Sequence, residues 1–378
     1  MFSHQWGFHN PTRIRCGRGS RARLEHDIAG HRTLVVSTRR GREQFTTDPV
    51  LGPLASKVNW VDSVTANPGI SEIEASLHAL PTTGFDVVVA FGGGSAMDFG
   101  KAIASMIGAQ SHGLNLRQLI SLPEVLASTP PLPMIALPTT SGTGSEVTQF
   151  ATIWDHDNKK KLSLASPTLF PSIAIVDAEL TDALPAAPTF ASGLDALNQA
   201  FESVWNINRS PITLQMAGRA IRLALNALHL LQANLGDAGA RDDLAEASLL
   251  AGLCISQTRT AICHAMSYPL TVHFDVPHGV ACAFTMREVF SRCVHQKPDL
   301  FESVVRETGH ASLESLVQAV ATLLDQLDVS AQVRSVVSNL GDLVRLSGEM
   351  ITPGRTDNFI FPVGNDDLMA ILDSSYNK

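Results

Sequence analysis

Apolar positions along the chain fall into two textures. In the first half, short β-branched runs recur as TLVVS (33–37), DVVVAF (86–91), MIALP (134–138) and IAIVD (173–177), separated by helix-like stretches. That alternation predicts a largely parallel sheet built from βαβ units. After Asp177 the period lengthens. Ser210 followed by Pro211 reads as a helix cap with proline in the first turn, and Leu214, Ala217, Ile221, Leu225 and Leu228 then recur at helical spacing. A second stripe runs through Leu316, Val320, Leu323 and Leu327, and Asn365 is expected to cap a last helix over DDLMAIL. The chain therefore divides near 180–190, where TDALPAAPTF supplies prolines and few long side chains. The expected domains are an α/β domain over 1–182 and an all-helical domain over 183–378, whose junction is a common place for a ligand cleft.

Composition narrows the function classes. At 378 residues the chain can bury two cores, and 44% hydrophobic with 17% charged residues suits a compact globule rather than a disordered segment. A formal net charge of −8 gives no electrostatic reason to bind nucleic acid or an anionic membrane. The five cysteines, at 16, 254, 263, 282 and 293, contain no CxxC pair and do not read as a disulfide framework. With no targeting pattern at the N-terminus and no apolar run of membrane-spanning length, a soluble cytoplasmic protein is expected.

Three stretches carry candidate chemistry. The run Asp86–Phe91 leads directly into GGGSAMDFGK, where Gly92, Gly93 and Gly94 allow close backbone approach and the next helix offers free N–H groups to a pyrophosphate. A tight strand-to-helix turn explains the same glycines equally well, since the GxGxxG spacing is absent. LPTTSGTGSEVT (137–148) sets hydroxyls at Thr139, Thr140, Ser141, Thr143 and Ser145 after another strand, suited to a nucleotide or to ordinary turn chemistry. Two such loops at strand ends together favour a dinucleotide site. In CHAMSYPLTVHFDVPHG, His264 and His278 stand fourteen positions apart with His273 between them, which raises the question of a metal.

On these motifs, with NPTRIRCGRG, IAIVDAEL and GLDALNQAFES, the sequence resembles the iron-containing (group III) alcohol dehydrogenases over almost its whole length. The resemblance implies a dehydroquinate synthase-like fold: an α/β dinucleotide-binding domain with a parallel sheet, then an all-α domain, with a divalent metal, Fe2+ or Zn2+. It assigns metal ligation to Asp195, His264 and His278, with His273 structural. Gln199 stands where the family has a histidine, so a neutral amide oxygen is the fourth donor, poorer than imidazole for iron or zinc.

Tyr268 stands where many relatives have a histidine close to the nicotinamide, and a phenol there can donate a proton to a developing alkoxide or simply pack. Gln199, the SYPLT run and ESVWN most resemble the phosphonoacetaldehyde reductase branch, which makes 2-hydroxyethylphosphonate. Its dianionic substrate needs a cation, for which Arg259 is the expected residue. Lys159, Lys160 and Lys161 form a second basic run, which more often is a solvated face.

The resemblance further implies cofactor contacts at Gly93, Gly94, Ser95, Asp98, Thr139, Thr140, Thr143 and Ser145. NAD-preferring relatives commonly carry an aspartate at the Thr38 position. Its absence, with Arg39 and Arg40 alongside, points to NADPH, with NADH as the alternative. The expected activity is metal-dependent reduction of an aldehyde to a primary alcohol, in a homodimer or larger assembly. A general alcohol dehydrogenase for uncharged substrates and a nucleotide-binding homologue without catalysis are the alternatives.

Overall fold

The computed structural model describes residues 5–81, 84–158, 160–351 and 353–378. Contacts group it into an α/β unit, Asn10–Thr140 with Ser145–Thr181, and a helical unit comprising residues up to His9, Ser141–Gly144 and Asp182–Lys378.

The α/β unit is built on a six-stranded sheet whose strands are β1 (Arg13–Cys16), β2 (Thr33–Val36), β3 (Asn59–Val61), β4 (Val87–Gly92), β5 (Met134–Pro138) and β8 (Ile173–Val176). They lie in the order β1-β8-β5-β4-β2-β3, and every pairing is parallel. The four apolar runs are β2, β4, β5 and β8. The first three are buried throughout because both faces are covered. Alternate residues serve the two faces: Leu34, Val36 and Val88 pack with Phe99 and Ile103, while Val35, Val89 and Phe91 pack with Phe45. A separate antiparallel hairpin, β6 (Phe150–Asp155) with β7 (Lys160–Ala165), follows the second polar loop.

This topology creates one switch point. The chain leaves β2 into a helix, Arg39–Thr47, whose Phe45 lies on one face of the sheet. It leaves the neighbouring β4 into another, Gly94–Gly108, whose Phe99 lies on the opposite face. With Val36 paired to Ala90, the carboxyl ends of β2 and β4 are adjacent and their two helices diverge, which opens a crevice there.

At the end of β8, Asp177 is buried and accepts N–H bonds from Gly19 (3.2 Å) and Arg21 (3.0 Å). The Arg21 guanidinium joins Asp177, Asp48 and Glu179. Burial alone would lower its pKa, but the bonds to Glu179, Asp177 and Asp48 outweigh that and raise it.

The helical unit packs Ala186–Val204, Pro211–Ala233, Ala238–Thr258, Ile262–Phe274 and His278–Gln296 around one core, with Leu313–Gln326 and Asn365–Tyr376 further along. Ser210 caps its helix through Thr213 N–H (3.2 Å), with Pro211 in the first turn. The last helix corrects one expectation. Its cap is Gly364, not Asn365, and the Asp367 carboxylate accepts the Gly364 N–H at 3.0 Å. A carboxylate in the first turn meets the free N–H end of the helix directly, so a capping side chain at Asn365 is unnecessary. Among the described residues, no helix is long and apolar enough to cross a membrane.

Candidate functional site

Four buried or partly buried donors converge in the helical unit. Asp195, His264, His278 and Cys282 each offer a ligand atom, and these atoms all lie within 4.8 Å of one another. Asp195 comes from the Ala186–Val204 helix, His264 from the first turn of Ile262–Phe274, and His278 from the first residue of His278–Gln296. Cys282 is one turn further along the His278 helix. A glycine lets two of these helices meet. A Cβ on Gly279 would sit 1.8 Å from the Ala191 carbonyl oxygen and 3.0 Å from Asp195 N, so only glycine permits this approach of backbone to backbone.

Glu202, fully buried two turns beyond Asp195, fixes His264. Its carboxylate accepts from His264 Nδ1 (2.8 Å), His264 N (3.1 Å) and Ala261 N (2.6 Å). With a proton on Nδ1 facing Glu202, Nε2 is the atom turned toward Asp195 Oδ1, 3.3 Å away, and is the one a cation would take. That oxygen is buried without a hydrogen-bond partner among the described residues, and so is Gln199 Oε1, one turn along the same helix. Gln199 Nε2 donates to Thr143 O at 3.4 Å, which leaves the amide oxygen as the unpaired end.

Unpaired buried acceptors beside two imidazoles are what a divalent cation satisfies, and the donor set suits zinc or iron. An O···N edge of 3.3 Å also equals the ligand separation in a tetrahedral site with bonds of about 2.0–2.1 Å. The residues present therefore fit a metal.

The electrostatics agree. Burial opposes charge on His264, yet Cys282, Glu202 and Asp195 hold its pKa well above the usual imidazole value. Burial would raise the Cys282 thiol, but His264 and His278 reverse this and bring it down to about 6. The Asp195 carboxyl lies below its ordinary value although burial pushes upward, because His264, His278 and Gln199 stabilise the anion.

Other expected residues are placed as follows. The Tyr268 ring lies within 7° of parallel to the His278 ring, centroids 6.3 Å apart, and the Arg355 guanidinium carbon is 4.8 Å from the Tyr268 centroid. Arg259 ends the Ala238–Thr258 helix with an exposed side chain and a backbone at φ 61°, ψ 177°, a conformation strained for any residue with a Cβ. His273 pairs with Glu349 at 2.9 Å and takes no part in the cluster.

In the α/β unit, Thr38 Oγ1 caps its helix by accepting the Gly41 N–H (2.9 Å), with Arg39 and Arg40 exposed in the first turn. Gly92, at φ +150°, ends β4; Gly93 caps the next helix, Gly94 and Ser95 begin it, and a Cβ on Gly93 would stand 3.2 Å from Thr140. Thr139 N donates to Gly92 O at 2.9 Å, tying the two loops together. These groups ring the switch-point crevice.

Ser145 and Asp98, expected to contact cofactor, are engaged with the protein itself. Ser145 Oγ donates to Asp98 Oδ1 (2.7 Å), Thr152 N donates to Asp98 Oδ2 (2.8 Å), and Lys101 Nζ donates to Ser145 Oγ (2.8 Å) and Phe150 O (2.8 Å). A buried ammonium needs these partners; burial still lowers Lys101 to about 8 against the pull of Asp98. The network holds the loop. Gly142 and Gly144 are likewise packing residues within the helical unit, since a Cβ on them would meet Ser192 at 2.6 Å and Gly252 at 2.3 Å. In the basic run, Lys160 is exposed, Lys161 lies over the Trp154 ring, and Lys159 lies outside the described residues.

Glu202, Cys282 and Arg355 escaped the sequence reading. A signal existed for the first two: Asp195, Gln199 and Glu202 share a helical face, and Cys282 follows His278 by four. Arg355 has no such local signal.

Comparison with known proteins agrees with this architecture. Residues 11–178 match the model of the iron-containing alcohol dehydrogenases, and residues 189–344 match that of the Fe-containing alcohol dehydrogenase family C-terminal region. The chain is 35% identical to the phosphonoacetaldehyde reductase of Streptomyces viridochromogenes over 75% of its own length and 71% of that protein's. It is 28% identical to the NADPH-dependent butanol dehydrogenase of Clostridium saccharobutylicum, covering 88% and 86% of the two chains. The crystal structure of sulfoacetaldehyde reductase from Bifidobacterium kashiwanohense in complex with NAD+ superposes with a TM-score of 0.85 at 27% identity, covering 100% of both chains.

Proposed function

Because the chain belongs to the iron-containing alcohol dehydrogenase family, we propose that it uses a nicotinamide cofactor to reduce phosphonoacetaldehyde to 2-hydroxyethylphosphonate. The observation that carries the reaction type is the buried convergence of Asp195, His264 and His278, with Gln199 Oε1 and Cys282 Sγ as the remaining donors at hand. A divalent cation held there supplies Lewis-acid polarisation of an aldehyde oxygen, and the reduced nicotinamide supplies the hydride. The protein's own groups do the rest. Glu202 keeps His264 in the tautomer that presents Nε2, and Asp195 offers the anionic oxygen. Tyr268, whose ring lies parallel to His278, offers its Oη proton to the oxygen of the product alcohol.

The dinucleotide belongs at the switch point of the α/β unit. There Gly93, Gly94 and Ser95 present backbone N–H groups to the pyrophosphate, with Thr139 and Thr140 alongside. Thr143 serves by anchoring Gln199. Thr38 adds no negative charge beside Arg39 and Arg40, and two arginines at a helix N-terminus oppose the helix dipole unless an anion lies among them. That supports NADPH over NADH.

Support for the anionic substrate comes from the likeness to phosphonoacetaldehyde reductase and to a sulfoacetaldehyde reductase structure. The test is oxidation of NADPH and of NADH by the metal-loaded enzyme with phosphonoacetaldehyde, sulfoacetaldehyde and propanal. The highest kcat/KM is expected for phosphonoacetaldehyde with NADPH; equal values for propanal would assign a general alcohol dehydrogenase instead.

A further inference from the structure

The resemblance supplied Arg259 as the cation for an anionic substrate, but the structure places a different arginine over Tyr268, whose ring stacks with that of His278. We propose that Arg355 grips the oxyanion tail of the aldehyde, with Arg259 on the adjoining segment as its neighbour. This rests on the aldehyde-reductase reading above and names the residue that sets its substrate class.

Position is the first argument. The Arg355 guanidinium carbon stands 4.8 Å from the centroid of Tyr268, and the Tyr268 ring lies parallel to that of His278. One aromatic ring thus connects the cation to a metal-ligating imidazole. An aldehyde with a phosphonate or sulfonate on the next carbon is short, so the group that holds its tail has to lie beside the group that holds its oxygen.

Availability is the second. Arg355 is half-buried, and no carboxylate pairs with it among the described residues. Contact with an aromatic face uses the π surface of a guanidinium and leaves its N–H edge free to bind two oxygens of a tetrahedral anion. A partly desolvated cation without an acidic partner is unusual unless an anion visits it.

Preorganisation is the third. Gly354, at φ +77°, begins a turn in which Asn358 N donates to Arg355 O at 2.9 Å. The buried Asn358 side chain donates to Thr260 O and to Gly354 O, both at 2.8 Å, and Ile207 N donates to Asn358 O at 2.8 Å. A second buried asparagine, Asn206, donates to Arg259 O at 3.3 Å. The backbones that carry Arg355 and Arg259 are therefore cross-linked to each other and to the end of the Asp195 helix. Such fixing holds two mobile side chains near one place and reduces the ordering needed on binding. The strained backbone of Arg259 fits a position kept for what its side chain does.

The experiment is steady-state kinetics of the metal-loaded enzyme with phosphonoacetaldehyde, sulfoacetaldehyde and propanal, for wild type, Arg355→Gln, Arg355→Lys and Arg259→Gln. For Arg355→Gln, the ratio of kcat/KM for the preferred anionic aldehyde over propanal is expected to fall about 10- to 100-fold, mainly through KM, as loss of a charge-assisted bidentate contact requires. Arg355→Lys should recover part of the ratio. If Arg355→Gln does not fold, Arg355→Met keeps the stem packed on Tyr268 and reads the same ratio. A wild type that prefers the anionic aldehyde, with a ratio changed less than about 2-fold by losing Arg355, overturns the inference and leaves the proposed function standing. A wild type with no preference for either anionic aldehyde overturns both. The better of the two anionic substrates tells phosphonate from sulfonate.

Discussion

Replacing Glu202 by glutamine tests how the metal-binding cluster is held. The carboxylate accepts three bonds in the buried interior: from Ala261 N at 2.6 Å, His264 N at 3.1 Å and His264 Nδ1 at 2.8 Å. Glutamine keeps the shape but has one acceptor atom. Oriented to serve Ala261 N and His264 Nδ1, its NH2 group faces the His264 N–H. One buried donor is then unsatisfied, which costs about 1–3 kcal/mol, and the two surviving bonds each lose about 1 kcal/mol of charge assistance. The sum is a destabilisation of about 3–5 kcal/mol in the metal-free protein.

The second effect falls on the metal. Without the anion behind Nδ1, the imidazole is less basic and less firmly oriented, and the affinity for Zn2+ or Fe2+ should fall about 10- to 100-fold. Chelator competition on the folded variant measures the affinity, and urea unfolding of the metal-free protein measures the stability. A folded Glu202→Gln protein whose metal affinity stays within about 2-fold of wild type would refute the assignment of Glu202 as the group that orients His264.

Further outcomes follow from the same contacts. Gly279→Ala forces a methyl against the Ala191 carbonyl, so the Asp195 and His278 helices must separate; loss of metal binding is expected by elemental analysis, with a destabilisation of about 1–3 kcal/mol by thermal unfolding. Arg21→Ala removes the cation from buried Asp177 and its partners Asp48 and Glu179, and should destabilise the protein by about 3–5 kcal/mol in urea. Lys101 titrates at about 8, below the ordinary lysine value, so the unfolded chain binds the extra proton between that pH and the ordinary value. Wild-type stability should therefore gain a rising component with pH over that window, absent in Lys101→Met; identical pH slopes would contradict it.

Much of the fold was legible because its strongest signals are local. β2, β4, β5 and β8 are the apolar runs themselves, and Ser210-Pro211 starts a helix as capping chemistry requires. The short edge strands β1 and β3 gave no such signal, since β1 reads Arg-Ile-Arg-Cys and half of it faces solvent. The β6–β7 hairpin was missed for a similar reason: half of Lys160–Ala165 is exposed and half of it is polar.

At the site, Asp195, His264 and His278 were readable through the family resemblance, and the structure brings them together. What the sequence withholds is which side chains from different helices meet. Glu202 lies on the right face of its helix, but its partners are the His264 ring and backbone, which only tertiary packing brings near. Gly279 looks like any glycine after a histidine until the Ala191 carbonyl is seen against it. Arg355 meets Tyr268 from a distant helix, and its turn is tied to Thr260 through Asn358, contacts that no periodicity connects. Asp98 and Ser145 carry contacts that their sequence does not announce: in the structure they bond to each other, and Ser145 to a buried lysine.

The most direct test of the metal assignment is an anomalous-scattering map from crystals of the protein grown with Zn2+. One peak is expected, about 2.0–2.2 Å from Asp195 Oδ1, His264 Nε2 and a ring nitrogen of His278. A map with zinc elsewhere, or with those three side chains free of any ion at saturating metal, would contradict it.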